Sequence, residues 1–323
     1  MTRLPRNILQ DIYNGISIGI CVGNMGCKYC LSETVRPDGS AKGSKLLRCL
    51  TCGKRYVDNG NLPKMRVNKH AIVTAISLYY DGLSVRKVSK QLESIFGEKV
   101  SQVTVWKWVQ KYSKLVSEYT KTLSPNIGGK WHHDETVIRC DGQNEWFWEM
   151  IDEDTRFLVA SHLSGTRSLE DTVAVFRKAV ETAKGRPQVL FVDGSMQYDA
   201  AFNKVFYTRY KAAQVELIKR VGIRARETNN IVERLHETVK ERVRPMRGFK
   251  NEDSARIILE GYVVNYNYAR PHLTLKGQTP AEKAGVQVKG WKQLIENAIQ
   301  TETRSEKANP EGIAVAPVQV VRE

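Results

Sequence analysis

Asp193 closes the run "QVLFVDG", where four apolar residues lead straight into a carboxylate and then a glycine. An acid at the exit of a buried strand is costly to desolvate unless positive charge meets it. Asp134, in "WHHDETVI", stands at the start of a second strand-like run. If the two strands are neighbours, both carboxylates reach one edge of the sheet. Two anions that close repel unless a cation lies between them, and hard oxygen donors without a His-Cys cluster favour Mg2+ or Mn2+. The expected third ligand is Glu233 in "TNNIVERLHETVKERVRPMRGFK". On a helix, positions 233, 236, 237 and 240 share a face, so His236 and Lys240 stand beside it. Blander roles compete: strand-end aspartates accept backbone hydrogen bonds, and Asn230 with Glu233 three residues on has the pattern of a capping box. His132 and His133 are adjacent in one strand and point to opposite faces, which favours packing for both. Asp152, Glu153 and Asp154 read as a solvated turn.

A second constellation is made of cysteine. "CKYC" (Cys27, Cys30) and "CLTCGKRY" (Cys49, Cys52) repeat one Cys-x-x-Cys spacing, with a turn signal at Pro37 to Gly39 between them. Two such turns at the ends of a hairpin present four thiolates to one tetrahedral Zn2+, the pattern of a zinc ribbon. The other two cysteines, Cys21 and Cys140, are expected to be small buried hydrophobes.

The elements that must position these groups change character along the chain. Ile72, Ala75, Ile76 and Tyr79 lie on one helical face ending at Asp81-Gly82. Ser84 and Ser101 are placed to cap two further helices, the last carrying Gln102, Thr104, Lys107 and Lys111. Three short helices with such a third member suggest a helix-turn-helix, with Lys107 and Lys111 toward DNA. From Trp131 three strand-like runs follow, then a helix capped by Ser168, then the buried strand of Asp193. The result is an α/β domain, with two more helices at 228–243 and 252–269. After about residue 286 periodicity is lost, and a mobile end with at most a short helix over 291–299 is expected.

Charge narrows the partner. Fifty Lys and Arg against 35 Asp and Glu leave a formal +15, the footprint of a protein that meets a polyanion. Residues 204–250 hold 13 basic and 5 acidic side chains. "KERVRPMRGFK" within that window puts Arg244, Arg247 and Lys250 on phosphates. No segment approaches 18 uninterrupted apolar residues, so no membrane role is expected, and a cytoplasmic, nucleoid-associated protein is the simplest expectation.

Taken in order, "WHHDETVI", "VLFVDG", "NNIVERLHETVKERVRPMRGFK" and "YNYARPHLTLKGQTPAEKAG" resemble the DDE transposases of bacterial and archaeal insertion sequences, enzymes similar to retroviral integrases. The resemblance covers residues 130–285 and includes the ribbon and the helix-turn-helix in the same order. It implies an RNase H-like core, a mixed sheet with flanking helices. It also implies Asp134, Asp193 and Glu233 as acidic ligands of two Mg2+ or Mn2+ ions, and His236 and Lys240 near the ligands and the DNA backbone. Terminal-repeat and target duplex DNA would be the substrates, and a homodimer or larger assembly would hold two ends together. The domain layout implied is an N-terminal segment 1–20, a zinc ribbon 21–60, a helix-turn-helix 66–118, a catalytic domain 127–285 and a tail 286–323. The activity implied is hydrolysis at the element's ends followed by 3′-hydroxyl strand transfer. Two alternatives are a nuclease or resolvase of the same fold that does not join strands, and a DNA-binding regulator derived from a transposase.

Overall fold

A computed structural model describes residues 26–30, 32–41, 43–209, 214–219 and 230–308. These residues fall into two compact units, one within 1–69 and 299–323 and the other spanning 70–298. The N-terminal segment 1–20, Cys21, and the tail beyond 308 lie outside the described residues.

The first unit is built on a three-stranded antiparallel sheet of β1 (Val35–Ala41), β2 (Ser44–Cys49) and β3 (Arg55–Val57). Its small core is Cys27, Leu47, Cys49 and Tyr56, too little apolar surface to hold a fold unaided.

The second unit begins with α1 (Lys69–Tyr80), α2 (Val85–Phe96) and α3 (Gln102–Thr120). Ser84 and Ser101 cap α2 and α3 as their positions suggest, each accepting from the backbone N–H three residues on. The buried stripe of α1 is Ala71, Ile72, Ala75, Ile76, Tyr79 and Tyr80.

A five-stranded sheet follows, in the order β6 (Leu158–Ser164), β5 (Gln143–Asp152), β4 (Lys130–Cys140), β7 (Val189–Val192) and β8 (Glu216–Lys219). The first three strands pair antiparallel, and β7 and β8 continue parallel to β4. Asp141 and Gly142 join β4 to β5 with φ of 48° and 75°, the two positive values that a tight hairpin turn of matching twist requires. Helices α4 (Leu169–Ala183) and α5 (Gln197–Val205) precede and follow β7. Both lie on the face shown by His133, whose ring meets Phe176 of α4 and Tyr198 of α5. The opposite face, shown by Asp134, meets α6 (Asn230–Val243) through His236. This is the mixed sheet with flanking helices that the family resemblance implies.

Where the sequence suggests a boundary between the three helices and the sheet, the structure has a shared core. Helix α7 (Glu252–Val264) packs on α3 at a glycine. A Cβ on Gly261 would lie 1.9 Å from the Tyr80 hydroxyl and 2.5 Å from Ser113 Oγ. That close approach lets the Tyr80 hydroxyl bond Ser113 Oγ at 2.6 Å and reach the Ile258 carbonyl at 3.4 Å. On the neighbouring residue, the Tyr79 ring lies 3.7 Å from the Arg242 guanidinium of α6.

The chain's end also differs from expectation. A short helix, α8 (Pro280–Lys283), is followed by α9 (Gly290–Ala308). Trp291, Leu294, Ile295 and Ala298 of α9 are buried, a spacing of three and four that is helical after all. Trp291 stacks on Tyr80 at 5.3 Å between centroids and donates to Asn265 Oδ1 at 2.9 Å. Among the described residues no helix is long and apolar enough to cross a membrane.

Candidate active site

Register alone brings the two aspartates together. Strand β4 pairs with β7 as Lys130 with Val189, Trp131 with Leu190 and His132 with Phe191. Two residues further along each strand come Asp134 and Asp193. Asp134 therefore sits inside β4, not at its start, because residues 130–133 are the ones that pair with β7. Its Oδ1 accepts from the Glu135 amide at 2.9 Å, and Asp193 Oδ1 accepts from the Ser195 amide at 2.8 Å.

A third carboxylate joins them. Oxygens of Asp134, Glu135 and Asp193 all lie within 4.8 Å of one another. Burial, with the added charges of Glu135 and Asp193, pushes the Asp134 carboxyl up to about 7. Arg167 offsets part of the charge of this cluster, and a divalent cation would relieve the rest. The cluster's all-oxygen donor set fits a hard divalent ion, so the residues present suit Mg2+ or Mn2+.

Glu233 is on the exposed side of the first turn of α6, and its carboxylate does not belong to this cluster. One turn further along, His236 is buried with Nδ1 4.0 Å from Asp134 Oδ2 and Nε2 3.5 Å from Glu149 Oε2. Burial, with Lys240 nearby, lowers the His236 pKa to about 4, which leaves the ring neutral near pH 7. Glu149 stands directly opposite Asp134 in the β4–β5 register, fully buried, with neither carboxylate oxygen hydrogen-bonded. Burial and the charge of Asp134 hold Glu149 well above the usual carboxylate range. Glu149 and His236 thus face each other beside Asp134, and burial disfavours the charged form of each.

The other acids and histidines near β4 have structural work. His132 stacks on Phe191 and bonds Glu153 at 2.9 Å, and His133 bonds the Glu149 carbonyl at 2.8 Å. Asp152 is not solvated: it is fully buried and accepts from the Thr155 amide at 2.8 Å and from the Thr155 hydroxyl. Cys140 is buried, which raises its thiol to about 11.

Further along β4 from Asp134, β4 and α6 form a groove of about 420 Å3 lined by Val137, Ile138, Arg139, Val239, Lys240, Val243, Arg244, Arg247 and Gly248. Four of these residues are basic and none is acidic. Lys240 and Arg244 also reach Glu237 at 3.2 and 3.4 Å, outside the lining. Gly248 has φ of 100°, and a Cβ there would come within 3.1 Å of the Arg139 carbonyl, so glycine is what lets this loop close on β4. Lys250 follows on the surface. On α3, Lys107 and Lys111 are exposed one turn apart, and Lys114 extends the stripe.

The four cysteines converge as their spacing suggests. Cys27 and Cys52 sulfurs are 3.5 Å apart and those of Cys30 and Cys49 are 3.6 Å apart. Tetrahedral Zn2+ with bonds of about 2.3 Å would hold its sulfurs roughly 3.8 Å from one another. The amides of Tyr29 and Cys52 point at Cys27 and Cys49 sulfurs, at 3.4 and 3.3 Å, as N–H groups do toward thiolates. Burial opposes ionisation of Cys49, but the Cys52 amide and the neighbouring sulfurs outweigh it and bring the thiol down to about 7. All four thiols are free, and the set fits zinc.

Sequence reasoning did not find Glu135, Glu149, Arg167, Tyr198 or Arg139. Arg167 pairs with Glu135 and stands 3.7 Å from Asp193 Oδ2. The Tyr198 hydroxyl donates to Glu135 Oε2. Glu149 alone left a trace, as a single acid inside the apolar run "WFWEMI".

Comparison with known proteins gives these groups a context. Residues 128–272 match a DDE domain. The chain is 26% identical over 224 residues to the transposase for insertion sequence element IS257 in transposon Tn4003 of Staphylococcus aureus, covering 68% of this chain and 94% of that one. The transposase for insertion sequence-like element IS431mec of the same species is also 26% identical over 224 residues, with the same coverage of 68% and 94%. The uncharacterized protein MJ0017 of Methanocaldococcus jannaschii is 26% identical over 152 residues, 47% of this chain and 68% of that one. Among solved structures, the trimeric HTLV-2 integrase catalytic core domain in complex with magnesium aligns with a TM-score of 0.36 at 14% identity, over 50% of this chain and 98% of that one.

Proposed function

Because this chain belongs with the DDE transposases of insertion sequences, we propose that it cuts phosphodiester bonds at its element's ends and joins the freed 3′-hydroxyls to target DNA. The observation that carries the site assignment is the β4–β7 register, which sets Asp134 beside Asp193 in a half-buried carboxylate cluster suited to a cation. Asp134 and Asp193 would hold divalent ions, Mg2+ or Mn2+. Glu233 would supply a third carboxylate from the helix whose His236 already stands at Asp134. When bound, a pair of such ions supplies an activated oxygen nucleophile on one side of phosphorus and charge relief for the leaving oxygen on the other.

The chain's own residues do the rest by position. His236, neutral and buried, backs Asp134 without adding charge to it. Arg139, Lys240, Arg244 and Arg247 hold the DNA backbone in the groove between β4 and α6, and Lys250 extends that path. The exposed stripe of Lys107 and Lys111 on α3, with the zinc-bound ribbon, recognises the element's ends. Two ends must be held at once, which calls for a homodimer or a larger assembly.

The test is a cleavage and strand-transfer assay in Mg2+ on duplexes carrying the element's own terminal repeats. Parent protein should give nicked and joined products, and Asp193→Asn and Glu233→Gln should each lose about 1,000-fold or more, as removal of a charge-stabilising group does. Retention of activity within threefold by Glu233→Gln would remove Glu233 from the site. Cleavage without any joined product would leave a nuclease.

A further inference from the structure

Glu135 and Arg167 are unused by the reaction as derived, yet they touch its ligands. The Glu135 side chain is only 3% exposed, and both its oxygens are engaged. Arg167 takes Oε1, and the Tyr198 hydroxyl donates to Oε2. The same Arg167 nitrogen is 3.7 Å from Asp193 Oδ2, and its guanidinium lies 5.1 Å from the centre of the Trp146 ring. Arg167 enters from the loop between β6 and α4, with its side chain 37% exposed. Its partners are thus a buried acid, a metal-ligand candidate and an aromatic face, three anchors that give a cation one defined seat.

We propose that Arg167 is a built-in counter-ion of the metal site, a positioning residue that bridges Glu135 and Asp193, keeps Glu135 out of the ligand set and weakens the resting affinity for divalent ions. This rests on Asp134 and Asp193 being the metal ligands. A unit charge about 5 Å from a dication weakens its binding on the order of tenfold even where the dielectric is that of water. Glu135 belongs to the carboxylate cluster by distance, but Arg167 and Tyr198 between them occupy both its oxygens. With Arg167 in place the ligand set is therefore two aspartates and whatever α6 contributes. A phosphodiester entering the site brings negative charge to which the guanidinium can turn, so ion loading and DNA binding become coupled.

The experiment is Mn2+ binding to the full-length protein without DNA, followed by the electron paramagnetic resonance of free Mn2+. Arg167→Gln should bind Mn2+ about tenfold more tightly than the parent while strand transfer falls, a split that a merely damaged fold does not give. Arg167→Lys keeps the charge and should stay within about threefold of the parent. Adding Glu135→Gln to Arg167→Gln should take back part of the gain, because the freed carboxylate is gone. Equal or weaker Mn2+ binding by Arg167→Gln, with circular dichroism and melting unchanged, would overturn the proposal. Were Asp193→Asn to bind Mn2+ as well as the parent does, the ligand assignment itself would fall, and the counter-ion with it.

Discussion

Asp134→Asn should make the metal-free protein more stable, and only at high pH. In the folded chain the carboxyl of Asp134 sits at about 7 against an ordinary 3.8, because burial and the charges of Glu135 and Asp193 penalise its ionised form. Between those two values the folded protein binds a proton that the unfolded chain has released. The stabilising effect of that proton is therefore complete below the ordinary value and is lost as the pH climbs to 7. A displacement of about 3 units at roughly 1.4 kcal/mol each sets a ceiling of about 4 kcal/mol. The side chain is 24% exposed, and solvent screening reduces this to roughly 2 kcal/mol. Thermal melts in EDTA should then show the difference between Asp134→Asn and the parent widening by roughly 4–8 °C from pH 4 to pH 8. Adding Mg2+ at pH 8 should raise the parent and not the variant, closing the gap. A difference that stays constant with pH, or narrows as pH rises, would refute the idea that Asp134 is a strained anion waiting for a cation.

Other perturbations test the remaining parts. Gly261→Ala should destabilise the 70–298 unit by about 2 kcal/mol in urea unfolding, since the new methyl group overlaps the Tyr80 hydroxyl and the ensuing strain exceeds the gain in helix propensity. Elemental analysis should find one zinc per chain, and Cys49→Ser should lose it along with the near-ultraviolet dichroism of Tyr29 and Tyr56, which pack at that site. Replacing Arg244, Arg247 or Lys250 by Ala should weaken binding to all duplexes alike and reduce the slope of log affinity against log salt by about 1 for each phosphate no longer neutralised.

Local chemistry was the legible part of this sequence. Caps at Ser84, Ser101 and Ser168, the Asp141-Gly142 turn and the paired Cys-x-x-Cys motifs each depend on residues a few positions apart, and each stands where its pattern suggests. Asp134 and Asp193 were legible as strand-borne acids, and their meeting needed only that β4 and β7 be neighbours. Glu135 was hidden because strand alternation predicts the opposite face from Asp134, whereas its carboxylate reaches within 4.8 Å of that of Asp134 and its partners come from a loop and from α5. Glu149 becomes meaningful only once the antiparallel register sets it across from Asp134. Asp152 misled because a turn acid is ordinarily wet, whereas here Thr155 folds back over it. The helical spacing of Trp291, Leu294, Ile295 and Ala298 was present all along, in a segment whose polar flanks obscured it.

The seat that Gly261 makes for Tyr80 has a consequence for how this protein would choose where to cut. Because α3 is clasped to α7 with no room for a methyl group between them, the exposed lysines of α3 and the aspartates on the sheet belong to one compact unit. If α3 grips the bases of a terminal repeat as proposed, the interval from them to the bond that is broken is set by this packing, and shifting the repeat by a single base pair should reduce cleavage at its end.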